Sequence, residues 1–275
     1  MSGVRHVDVA TNGTTLHVAV RGRADAPVLL LLHYFAGSAR AWEAVVDALG
    51  DAYRCVALDL RGHGRSAVTP SGYTTADGAD DVAGVIAALD IGDHALVGHS
   101  MGGKLALALA ARQPSGLRAL VLVAPSPPTP EPIEARARAR ALAAYGDRAT
   151  AEQTADRIVA RRLAPRARGR VVNDSLRTSS PAWRAWLEDG SREDTSASAG
   201  EVAVPTLVVV GGADPVLPPA LLEREVVRRV RGARLAVVPD AGHLVPLEAP
   251  GELAELLAGE LRAAFAATRR AATSA

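Results

Sequence analysis

Apolar residues along this chain fall into two spacings, and the alternation between them predicts the fold. Residues 4–10 and 15–20 alternate apolar and polar positions around Asn12-Gly13, which predicts an opening hairpin. Residues 28–33 form an apolar run, the pattern of a strand covered on both faces. Ser38 has the character of an N-cap for a helix ending at Leu49, with Gly50 closing it. A second strand, over 53–60, leads into the turn Arg61-Gly62-His63-Gly64-Arg65-Ser66. Thr74 and Asp77 have capping-box spacing and open a helix that reaches about Leu89.

The rhythm continues with strands over 94–99, 117–124, 206–210 and 234–239. Helical patterns lie between or after them, over 101–112, 218–230 and 251–265, and the polar stretch 268–275 reads as a frayed end. Short buried strands alternating with helices predict an α/β fold, a mostly parallel central sheet with helices on both faces. One segment breaks the pattern. Between residues 126 and 202 no strand is predicted, only Ala/Arg-rich helical stretches, one from Pro132 to Gly146. Prolines at 125, 127, 128, 130 and 132 mark the entry and Pro205 the return. The expected organisation is therefore a core of residues 1–125 and 203–275 with an inserted helical cap at 126–202.

Composition narrows the function. The net charge of +1 is spread along the chain and points to neither nucleic acid nor a membrane surface as partner. The longest apolar runs are too short to span a bilayer, and residues 1–10 lack the apolar core of a secretion signal. Cys55 is the single cysteine, so no internal disulfide and no cysteine-based zinc site can form. Together these features predict a cytoplasmic protein. The Ala-Arg alternation of 135–141 reads as a solvated helix face.

The chemistry concentrates in three loops. Gly98-His99-Ser100-Met101-Gly102 matches G-x-S-x-G between a buried strand and a helix, the context in which that motif presents a nucleophile. Gly98 to Lys104 also fits the opening of a phosphate-binding loop, but Leu105 stands where a magnesium-holding Ser or Thr is required. Lys104 is then read as a solvent-facing helix residue. A serine nucleophile needs a base and the base an orienting acid. Of the seven histidines, His243 follows the last strand at the same sheet edge as Ser100. Asp214 follows the preceding strand, so parallel strands bring all three together in the order Ser, Asp, His. Asp240 is the rival acid, and turn formation is its simpler role.

These motifs, with His33-Tyr34-Phe35-Ala36-Gly37-Ser38 and the 59–66 turn, resemble the α/β-hydrolase superfamily from about residue 4 to 265. The resemblance is to its small capped esterases, lactonases and cofactor-free haloperoxidase- or perhydrolase-like members. It implies an oxyanion hole from the backbone N–H groups of Phe35 and Met101, with His33 supporting the loop. Tyr34 stands where the family usually has glycine, a side chain that would either narrow the acyl pocket or alter the loop. Ser100 sets the chain apart from the dehalogenase and epoxide hydrolase relatives, which use aspartate there. Tyr34, Trp183 and Trp186 are the candidate substrate contacts, the tryptophans serving equally as cap packing.

The resulting expectation is hydrolysis of a small-molecule ester, thioester or lactone through an acyl-Ser100, with no metal and no organic cofactor. The same triad could run perhydrolysis, C–C cleavage or a biosynthetic rearrangement, and a receptor on the same fold is the third reading. Oligomeric state has no signature in the sequence.

Overall fold

The computed structural model describes residues 3–273. Strands β1 (Arg5–Thr11) and β2 (Thr14–Arg21) form the predicted hairpin. Asn12 and Gly13 both take positive φ, 38° and 70°, as a two-residue turn matched to strand twist requires. β3 (Val28–Leu32) and β4 (Arg54–Leu58) follow, separated by a 3-10 turn at Ala39–Trp42 and helix α1 (Glu43–Leu49). The one helix expected from Ser38 is thus divided in two, although Ser38 does cap the first part.

Helix α2 (Thr75–Ala88) opens with the Thr74–Asp77 capping box, both halves made. β5 (His94–His99), α3 (Met101–Ala111) and β6 (Leu117–Val123) complete the first half of the core. The inserted segment holds α4 (Ala135–Ala143), α5 (Arg148–Arg157), α6 (Pro165–Arg177) and α7 (Ser180–Glu188), then two short 3-10 turns. α4 begins after Glu134 rather than at Pro132, because Glu131 and Ile133 close a tight turn first.

The chain returns through β7 (Thr206–Gly211), α8 (Pro219–Leu222), β8 (Arg234–Val238), α9 (Val245–Glu248) and α10 (Pro250–Thr273). The helix expected over 218–230 stops at Leu222 and widens into a π-helical turn at Glu223–Val227, where Glu225 pairs with Arg224 and Arg229. α10 runs on to Thr273, past the point where fraying was expected. No helix among the described residues is long and apolar enough to cross a membrane.

The eight strands order as β1-β2-β4-β3-β5-β6-β7-β8, with only β2 antiparallel to its neighbours. Alternate residues of each strand feed opposite faces. Leu30 and Leu32 pack with α2 and α3, whereas Leu29 and Leu31 pack with α1 and α10. Both faces are therefore dry, and the C-terminal ends of the parallel strands are left to deliver loops to one edge. The inserted helices meet that edge through a third cluster joining Tyr34, Ala41 and Leu244 to Ala155, Leu163, Val171 and Val172.

Candidate active site

Ser100 links β5 to α3 with φ 53° and ψ −116°, a conformation that non-glycine residues avoid. Two close approaches hold it there. A Cβ on Gly98 would sit 2.3 Å from the Gly102 carbonyl oxygen, and one on Gly102 2.6 Å from that of His33. Only glycine lets strand, turn and helix come this close. The Ser100 amide donates to Val123 O at 3.0 Å, which fixes the turn against β6.

His243 Nε2 lies 3.0 Å from Ser100 Oγ, and its Nδ1 lies 2.8 Å from Asp214 Oδ2. With Nδ1–H donating to the carboxylate, Nε2 is free to accept the serine proton. All three side chains are buried, which strengthens each of these bonds. Asp214 Oδ1 also accepts from the amides of Val216 and Leu217, at 2.7 and 3.0 Å, so both carboxylate oxygens are engaged. Asp240 instead occupies the turn after β8 with φ 56°.

Phe35 lies in the loop after β3 and Met101 opens α3 directly after the serine. Their amides donate to no acceptor among the described residues. The Tyr34–Gly37 turn, closed by Gly37 N donating to Tyr34 O at 3.0 Å with Ala36 at φ 61°, sets the Phe35 amide. His33 locks this loop from beneath: Nδ1–H donates to Tyr34 O at 2.7 Å and Nε2 accepts from Leu60 N at 3.0 Å. Burial drops its pKa to about 4, and that of neighbouring His63 to about 3, so both are neutral struts.

The Tyr34 side chain is turned away from solvent. It is buried in the cluster beneath the inserted helices, 5.2 Å from the His99 ring. Gly37 accommodates it, since a Cβ there would lie 2.8 Å from the tyrosine ring. Trp183 packs on Phe35 with centroids 4.9 Å apart, and Trp186 is buried behind the same phenylalanine at 6.2 Å.

Several groups that shape the site went unread in the sequence. Lys104 is fully buried rather than solvent-facing, and its Nζ donates to Glu193 O at 2.5 Å. Burial lowers its pKa. It lies under the returning end of the inserted segment, which covers the face of α3 that the pattern left to solvent. The Glu131 carboxyl, at the segment's entry, is pushed above the usual range by burial beside Ser126 and Lys104. Glu248 gathers four backbone amides. Its Oε2 accepts from Ala160, Arg161 and Gly242, each at 2.8 Å, and Oε1 accepts from Leu244 at 2.9 Å. Two of those amides flank His243 and two belong to the inserted segment. His243 N itself donates to Ile158 O at 2.8 Å. An acid two residues before α10 looks like ordinary surface charge, so only the fold exposes this role.

A model of the alpha/beta hydrolase family matches residues 29–256, and the chain belongs to that family. A 2-(acetamidomethylene)succinate hydrolase from Mesorhizobium japonicum is 34% identical over 119 residues, 43% of this chain and 41% of that protein. Similar alignments cover between 36% and 44% of several curated relatives, so the likeness reaches less than half of their length. The enol-lactonase of Burkholderia xenovorans LB400 has a structure similar to this one, with TM-score 0.83 and 26% identity over 93% of this chain and all of that one. A malate-bound esterase from Thermogutta terrifontis gives TM-score 0.79 and 27% identity, covering 94% and 99% of the two chains.

Proposed function

We propose that this α/β hydrolase is a serine hydrolase that cleaves a small carboxylic ester, thioester or lactone through an acyl-enzyme on Ser100. The observation that carries the reading is the unbroken hydrogen-bond chain from Ser100 through His243 to Asp214, at 3.0 and 2.8 Å. The relatives named for hydrolysis and lactone opening agree with it.

In the first half-reaction Ser100 Oγ bonds to the carbonyl carbon while its proton passes to His243 Nε2. The charge that develops on the carbonyl oxygen falls to the Phe35 and Met101 amides, and each such donor is worth about 3–4 kcal/mol. Collapse breaks the bond to the leaving group, which takes the proton from Nε2. Water then repeats the sequence on the acyl-enzyme, and Ser100 recovers its proton as the acid departs. Asp214 stays ionised and steadies the imidazolium in both halves. We further infer that the segment 126–202 acts as a cap that selects the substrate, because Trp183 and Trp186 press on Phe35 at the rim of the site.

A chain-length series of p-nitrophenyl esters and lactones, run to many turnovers with wild type and Ser100→Ala, tests the reading. The expected result is sustained turnover lowered roughly 10⁶-fold by the substitution. Equal rates in the two proteins would remove hydrolysis, and a single turnover ending in a lasting adduct would point to a ligand receptor instead.

A further inference from the structure

Two spaces abut the proposed oxyanion donors, and they differ greatly in size. On the Met101 side lies a hollow of about 40 Å³, bordered by His63, Leu105 and Trp186. On the Phe35 side an open groove of about 690 Å³ runs among helices α4 to α7, a volume suited to a substantial small-molecule ligand. Its inner end is Phe35 against Trp183, and the indole is anchored by donating from Nε1 to Ala141 O at 3.1 Å. Much of the wall is alanine, joined by Leu176, which leaves a lane for an aliphatic chain. Ser100 and His243 border neither space, and each space meets the site only through an oxyanion-donor residue, Phe35 or Met101.

The charge in this groove is one-sided. Arg140 from α4 and Arg157 from α5 enter its lining from two helices. Neither guanidinium has a hydrogen-bond or ion-pair partner among the described residues. Three nearby arginines are engaged: Arg148 with Glu152, Arg168 with Asp156, and Arg138 with Ser191 at 2.6 Å. The acid in the lining, Asp147, is committed to capping α5, where it accepts from Thr150 N at 2.7 Å. Carbon walls interrupted by two uncommitted guanidinium groups suit an aliphatic chain that carries a negative group, because the guanidinium fork matches a carboxylate in both charge and shape.

We propose that this groove takes the acyl chain of the substrate and that Arg140 and Arg157, in its lining, bind a carboxylate carried by that chain. The preferred substrates are then half-esters, thioesters or lactones of dicarboxylic acids. The proposal rests on the hydrolase reading above. Both arginines are exposed, so the preference is modest and weakens with salt.

The test compares p-nitrophenyl hydrogen adipate with its uncharged isostere, p-nitrophenyl methyl adipate, by p-nitrophenolate release at low ionic strength. Wild type is expected to favour the anionic ester by about tenfold in kcat/KM, mostly through KM, with the ratio shrinking as salt is added. In the Arg140→Gln/Arg157→Gln variant the ratio falls toward one, and Arg140→Lys/Arg157→Lys restores part of it. Because the readout is a ratio within one protein, loss of folded enzyme cancels. A wild-type ratio at or below one, or a ratio unmoved by the double substitution, overturns the proposal. If neither ester is turned over in a Ser100-dependent way, the hydrolase reading fails on its own. Tryptophan fluorescence titrated with adipate against adipamide then decides the groove: saturation by adipate alone, lost in the Gln variant, upholds it, and equal response overturns it.

Discussion

The sheet edge that carries Ser100 and the inserted segment above it are built on opposite terms. Around Ser100 backbone meets backbone: Gly98, Gly102 and Gly103 each have main-chain or proline atoms within 3 Å of where a Cβ would stand. In the inserted segment, α4 buries no residue and α5 buries only Ala155. Its apolar attachments come mainly from α6 and α7, through Val171, Val172, Trp186 and Leu187, and polar ones join them. Asp174 of α6 accepts from Ser38 Oγ at 2.6 Å and pairs with Arg40, Ser179 N donates to Gly62 O at 2.9 Å, and Glu248 collects the amides of Ala160 and Arg161. Close-packed backbone leaves the nucleophile one geometry, whereas a thinly buried helical layer tolerates sequence change. On the proposed function, reaction geometry falls to the first region and choice of substrate to the second.

The largest expected effect separates chemistry from scaffold within the first region. Asp214→Asn should lower kcat about 10⁴-fold, since an amide favours the wrong histidine tautomer. Asp240→Asn should leave kcat within a few-fold. Ester assays on the two variants check this, and a comparable loss from Asp240→Asn would transfer the orienting role to the turn.

A second test asks whether the core tolerates charge. Unfolded histidines take up protons near pH 6.5, but His33 and His63 resist until about 4 and about 3. Between those values the unfolded chain binds more protons, so stability falls as pH drops from about 6.5 toward 4. The loss should amount to a few kcal/mol at about 1.4 kcal/mol per pH unit and histidine. Thermal melts at pH 7 and pH 5 should show a clear fall in Tm, and an unchanged Tm would mean that these rings are not held neutral.

The smallest effect lies at the joint between the two regions. Glu248→Gln keeps the shape but replaces a charged acceptor of four amides, two beside His243 and two in the inserted segment. A loss of about 1.5–3 kcal/mol of charge-assisted bonding is expected, with kcat falling about tenfold. Melting and steady-state kinetics together read it. A lower Tm with unchanged kcat would confine Glu248 to holding the fold.

What the sequence disclosed follows the same division. The strand ends and the Ser100, Asp214 and His243 loops were legible because glycine, proline and apolar runs act over a few residues. Asp214 and Asp240 were separated by strand order and by the closeness of Asp240 to His243, which marked it for the turn. The misread elements depend on partners far along the chain: Lys104 meets Glu193 across 89 positions, and Glu248 meets Ala160 across 88. Tyr34 looked like an obstruction in the acyl pocket until Gly37 proved to make room for its ring. Helix limits within the inserted segment were blurred because alanine and arginine are good helix formers throughout.

Lys104 is the only lysine in the chain, and it is sealed from solvent. Every other basic side chain apart from the histidines is arginine, whose guanidinium stays protonated and makes a poor acyl acceptor. The surface thus offers an activated ester no ε-amine to modify. On the proposed function, activated substrates meet no exposed ε-amine, and lysine-directed reagents should leave Lys104 unmodified in the native fold.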